Sequence, residues 1–246
     1  MLRPRIIPVL LMLDGGLVKT RQFGDSKYVG DPINAVRIFN EKEVDELTLY
    51  DIGASVHGNE PDFDHLKAIA AESRMPLCYG GGVQSAAHAV RLIKAGFEKV
   101  SVSSAAVDRP ELIREIADAV GKQSVVVTID VKKAGLLRQS TIYTKGGHQA
   151  TRIKLADMLE NMECYGAGEI VINSIDRDGM MQGYDIDLAK TVRSAISTPL
   201  TMLGGAGSTD HMDELIESIG VCGAAAGSMF VFTGKFRAVL ISYSRP

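Results

Sequence analysis

A chain of 246 residues is long for one ordinary domain and usual for an α/β barrel, and 46% apolar residues with 25 glycines and no tryptophan exclude a disordered or fibrous chain. The net charge of −3, with both signs spread along the chain, leaves no basic stripe for a nucleic-acid backbone, so small molecules and proteins are the expected partners. No apolar run approaches the ~18 residues of a membrane span and no leader pattern stands at the start, so the expected location is the cytoplasm, without a membrane partner.

Apolar, β-branched runs predict strands at 5–11 (RIIPVLL), 46–52 (ELTLYDI), 75–81 (MPLCYGG), 99–104 (KVSVSS), 124–130 (SVVVTID), 169–175 (EIVINSI), 199–205 (PLTMLGG) and 223–229 (GAAAGSM). Helix-period segments lie between them. PINAVRIFNEKEV opens with Asp31 as N-cap and Pro32 at the first helical position, and SAAHAVRLIKAG, PELIREIADAVG, TRIKLADMLENMECYG and STDHMDELIESIG follow, all closed by glycine. Strands apolar on both faces and alternating with helices predict a parallel sheet closed into a single (β/α)8 TIM barrel over residues 1–246, the alternative being a doubly wound open sheet. Cys78, Cys164 and Cys222 lack metal or redox spacing and are expected to be reduced and mostly buried. The histidines are equally scattered, so neither a metal site nor a cofactor is expected.

The two halves resemble each other. VDELTLYDI (44–52) matches AGEIVINSI (167–175), YGGGVQS (79–85) matches LGGAGST (203–209), and Ser103-Ser104 matches Gly227-Ser228. This internal repeat predicts two similar half-barrels. Gly81, Gly82, Ser103, Ser104, Gly205, Gly227 and Ser228 then fall at strand C-termini, where barrel active sites are built and where backbone N–H groups can approach an anion. Either glycine cluster alone also reads as tight strand-to-helix turning; the duplication favours two opposed phosphate cradles.

At this point RIIP, VGDP, DELTLYDI, GGGVQS, EKVSVSSAAV with PELI, VVVTID, GAGEI, SIDRDG with GYD, and GGAGS together resemble the cyclase subunit of imidazole glycerol phosphate synthase, the HisF-type barrel, over essentially the whole chain. The resemblance implies a HisH-like glutaminase docked at the N-terminal face, ammonia passing along the barrel axis, and acid–base chemistry by two opposed aspartates at the mouth. It makes Asp130 one of those aspartates and assigns Asp178 and Gly179 of SIDRDG to ligand binding. Arg5, Glu46, Lys99 and Glu169, each at a strand start, match the charged ring that gates ammonia in the family.

Leu11 stands in the place of the other aspartate, and the repeat makes the same point by overlaying IIPVLL (6–11) on VVVTID (125–130). A leucine cannot carry a proton. Asp14 is close by but reads first as turn chemistry in DGG. Leu203 and Ser103-Ser104 also depart from the cyclase pattern. The stretch from Gly15 to Leu47 instead resembles a divergent HisF-like branch encoded with surface-polysaccharide genes and implicated in making acetamidino sugars from N-acetylated ones. The expected function is therefore an ammonia-channelling amidotransferase subunit acting on a phosphorylated or nucleotide-sugar ligand, with Lys19 holding an anionic group. An ATP-using amidotransferase is an expected partner, because the chain lacks G-x-x-x-x-G-K-[ST]. The alternatives are the cyclase of histidine biosynthesis and a non-catalytic conduit.

Overall fold

The eight apolar runs all form strands in the computed structural model, which describes residues 3–135, 138–234 and 236–243; the extreme ends of the 1–246 span lie outside the described residues. The barrel strands are β1 (Arg5–Leu13), β2 (Leu47–Asp51), β3 (Leu77–Gly80), β4 (Lys99–Val102), β5 (Val125–Ala134), β6 (Glu169–Ser174), β7 (Leu200–Leu203) and β8 (Gly223–Ala226). Each pairs in parallel with the next. β8 pairs with β1 from Arg5↔Gly223 to Pro8↔Ala226, which closes the sheet and excludes the open alternative.

Side-chain alternation divides the core. Ile6, Leu10, Leu47, Leu49, Val125, Val127 and Ile129 point outward and pack under the helices, whose own buried stripes include Val36 with Phe39 and Leu112 with Ile116. Ile7, Val9, Cys78, Val126, Val171, Leu203 and Ala225 fill the barrel itself, with Leu11 and Tyr50 packed against them. Each such apolar side chain contributes about 1.5–3 kcal/mol when fully buried. The same alternation sends Arg5 and Leu11 of β1 inward at opposite ends of the axis, about 20 Å apart at ~3.3 Å per residue.

Several boundaries differ from expectation. β1 runs past Leu11 to Leu13 and β5 past Asp130 to Ala134, because each continues into an antiparallel hairpin: β1 with Gly16–Lys19, and β5 with Gln139–Thr144. The fourth and eighth runs end early, at Val102 and Ala226, since Ser104–Asp108 and Ser228–Val231 are helical. The helix expected from Thr151 begins at Leu155. Helices Phe63–Ala71 and Ile186–Ala195 complete the outer ring. Cys78 and Cys222 are buried, but Cys164 is exposed, because its helix buries the stripe of Met158, Leu159 and Met162 and turns Cys164 outward. No described helix is long and apolar enough to cross a membrane.

Candidate functional site

The inward positions of β1, β4 and β6, and the residue just before β2, place four charges in one layer at the N-terminal end of the axis. Arg5 donates to Glu46 Oε2 at 2.5 Å and Glu169 Oε1 at 2.7 Å, and Lys99 Nζ reaches Glu46 Oε2 at 2.7 Å and Glu169 Oε2 at 2.9 Å. Each carboxylate thus serves both cations, and Thr201 Oγ1 also donates to Glu169. Burial alone would raise the Glu169 pKa, but the charges of Lys99 and Arg5 outweigh it and hold the group at about 2. Burial disfavours the Lys99 ammonium, yet Glu169 and Glu46 reverse that and raise its pKa. All four residues expected in a ring therefore meet in one.

At the opposite end the barrel opens into a cavity of about 820 Å3, within the range of small-molecule sites. Leu11 and Asp130 both face it from their inward positions. Asn173, in register with Asp130 across β5 and β6, donates Nδ2–H to Asp130 Oδ1 at 3.0 Å, and Ser103 Oγ lies 3.5 Å from Oδ2. Burial pushes the Asp130 pKa up to about 7, the charge of Asp178 adds to the rise, and the Asn173 and Ser103 hydrogen bonds restrain it. A carboxyl that titrates near neutrality can give or take a proton at working pH. Leu203 narrows the same throat.

Lys19 is on a strand rather than a loop and is buried, with Nζ donating to Val9 O at 2.6 Å. Burial lowers its pKa to about 8, the Asp178 charge opposing the fall. A Cβ on Gly227 would lie 2.5 Å from that Nζ, so the glycine leaves room for the ammonium beside the Gly227-Ser228 turn. Asp178 accepts from Thr20 Oγ1 at 2.8 Å and Phe23 N at 3.3 Å, and a Cβ on Gly179 would meet Thr20 O at 2.3 Å. The SIDRDG loop therefore braces the hairpin that carries Lys19, and both residues also line the mouth.

Gly81, Gly82 and Gly205 have φ of +140°, +65° and +114°. Their Cβ atoms would meet Asp51 Cβ at 2.7 Å, Asn59 O at 2.3 Å and Gly183 O at 2.1 Å, so tight packing of neighbouring turns by itself demands glycine. They line the mouth together with Ser103, Ser104 and Ser228. The hairpins mirror the repeat: one brings Lys19 to the turn after β8, and the other brings Lys145, whose N–H donates to Ser104 Oγ at 2.9 Å, to the turn after β4. Asp14 is exposed at φ +51° in the first hairpin turn with Gly15 at +79°, the conformation that an Asp-Gly turn favours.

Sequence reasoning missed Asn173 and Tyr50, although the repeat aligns them with each other and so marks equivalent inward polar positions. Tyr50 Oη lies 2.8 Å from Thr128 Oγ1, which is 2.7 Å from Ser101 Oγ.

Comparison with known proteins agrees with this geometry. Residues 5–237 match the family described as "Histidine biosynthesis protein". A Leptospira borgpetersenii relative is 53% identical over 243 residues, covering 99% of this chain and 96% of its own length. One from Vibrio vulnificus (strain YJ016) is 50% identical over 246 residues, covering 100% and 95%. One from Pseudomonas aeruginosa is 48% identical over 243 residues, covering 99% and 96%. These are named "Putative imidazole glycerol phosphate synthase subunit" HisF, hisF3 and hisF2 respectively. A closed (β/α)8 barrel with this end-to-end match belongs to the HisF-like histidine biosynthesis protein family.

Proposed function

We propose that this chain is the ammonia-conducting barrel of a glutamine-dependent amidotransferase complex, serving the conversion of an N-acetylated nucleotide sugar to its acetamidino form in surface-polysaccharide (O-antigen) synthesis. The observation that carries the reading is the throat of the mouth, where Asp130 faces the cavity and the inward position of β1 is Leu11. A cyclisation with several proton transfers calls for two carboxylates of divided role. An amidine-forming step calls for one. Ammonia attacks the activated amide carbon, a C–N bond forms, the activated C–O bond breaks, and the surplus proton leaves nitrogen for Asp130. Activation of the amide oxygen belongs to an ATP-using partner, and the glutaminase docks over the ring of Arg5, Glu46, Lys99 and Glu169.

The phosphate cradles retain a role in this reading. The turns Gly81-Gly82 with Ser103-Ser104, and Gly205 with Gly227-Ser228, flank the mouth, and Lys19 and Asp178-Gly179 stand beside the second. They would hold the diphosphate of a nucleotide sugar. A second reading, the cyclase of histidine biosynthesis, is favoured by the names of the relatives, with Asp14 substituting for the missing carboxylate from the hairpin turn. Deleting the gene distinguishes the two. The reading here predicts acetamido in place of acetamidino groups in the polysaccharide, read by NMR, with growth independent of histidine. Histidine auxotrophy with an unaltered polysaccharide would overturn it.

A further inference from the structure

The axis is interrupted between the charged ring and the mouth. Just above Glu46 and Glu169 lies a chamber of about 10 Å3, walled by Thr48, Cys78 and Val171 among others, which is room for about one water-sized molecule. Val9, Tyr50 and Leu203 border both this chamber and the mouth, so they form the partition between them. Tyr50 is the long member of the three, and its hydroxyl bond to Thr128, itself bonded to Ser101, ties it from β2 to β5 and β4. β3 makes room for the ring: a Cβ on Gly80 would lie 2.8 Å from Tyr50 Cδ1. Burial raises the Tyr50 pKa and keeps the hydroxyl protonated and able to donate.

We propose that Tyr50 is an inner gate in series with the charged ring. Its ring closes the axis above a one-molecule chamber, its hydroxyl bond to Thr128 is the latch, and opening swings the ring into the mouth. Two closures in series let ammonia leave the chamber while bulk water is still held off by the other. The ammonia role rests on the conduit reading above, whereas the closure itself does not.

Cys78 reports on the chamber, because its thiol is buried there. The test is the rate at which methyl methanethiosulfonate modifies Cys78 at fixed alkaline pH, in a Cys164→Ser background that removes the exposed thiol. The buried Cys222, which borders neither chamber nor mouth, monitors the fold. Tyr50→Val, a strand-compatible truncation, should speed Cys78 modification at least tenfold. Tyr50→Phe, which keeps the ring and loses the latch, should speed it several-fold, with Cys222 unchanged in both. Equal Cys78 rates in the native protein and both variants, or acceleration of Cys222 in step with Cys78, would overturn the gate. The labelling needs neither glutaminase nor substrate, so its failure removes the gate and leaves the conduit reading standing. The conduit reading fails separately if Lys99→Ala leaves glutamine-driven turnover of the complex unchanged.

Discussion

At the lower end of the barrel axis every charge of the ring lies within 2.9 Å of an opposite one, and each carboxylate is shared by two cations. At the upper end the half-buried Asp130 and the buried Lys19 have neutral partners, Asn173 and Ser103 for one and the Val9 carbonyl for the other, and neither forms an ion pair among the described residues. Adjacent strands of one barrel thus carry two carboxylates with opposite fates: Glu169 is held at about 2 and Asp130 is pushed up to about 7. Paired charge at the base stays ionised and keeps its geometry. Unpaired charge at the mouth stands near its titration point, where protons move.

The largest effect expected from breaking this contrast is at the mouth. Asp130→Asn keeps the shape and removes the proposed proton acceptor, so product formation by the proposed complex should fall ~10²–10⁴-fold, with glutamine or ammonium salts alike. Unchanged turnover would reduce the barrel to a passive conduit. At the base, Lys99→Ala leaves two buried carboxylates to share Arg5 alone. It should cost about 3 kcal/mol of stability, as removing one partner of a buried ion pair does, and lower glutamine-driven but not ammonium-driven turnover. Chemical denaturation and the two nitrogen sources measure the two effects.

Titration sharpens the comparison, because the two ends have opposite signs. The Glu169 pKa is depressed from 4.5, so its contribution to stability is present above that value and lost as pH falls through about 2. The Asp130 pKa is raised from 3.8, so its ionisation weakens the fold as pH rises through about 7, and acidification from 7 towards 4 should add stability. Asp130→Asn should reduce that gain, leaving the part that comes from Asp178 and Asp51, whose pKa values burial also raises, and leave the acid loss below it, read as Tm against pH. The smallest contrast is between two glycines of the mouth. Gly205→Ala, at positive φ and against the Gly183 carbonyl, should destabilise by ~1–3 kcal/mol. Gly227→Ala, at an ordinary φ of −107°, crowds the buried Lys19 Nζ at 2.5 Å and the Val9 carbonyl oxygen at 3.2 Å, and should displace the ammonium at a smaller cost in stability than Gly205→Ala.

The parts legible in the sequence were those with a local signal. The family resemblance and the internal repeat paired Leu11 with Asp130, which line one mouth, and the four charges at strand starts that the resemblance marked meet in one ring. Helices closed by Gly96, Gly121, Gly166 and Gly220 were readable from those stops. Two longer helices of the outer ring that went unread end instead at Glu72 and Ile196, without a glycine, although Asp62 and Asp185 cap their starts. The hairpins after β1 and β5 escaped because strands this short depend on pairing with an existing edge. The burial of Lys19 escaped with them, since only the folded hairpin carries it under the turn after β8.

The central claim, that one carboxylate at the throat does not make a cyclase, is tested most directly by growth. A strain lacking the cyclase of histidine biosynthesis is supplied with this protein and its glutaminase and plated without histidine. No growth is predicted, with slow growth restored by Leu11→Asp, which returns an acid to the β1 position facing Asp130. Robust growth with Leu11 in place would contradict the account and return the chain to the cyclase reading.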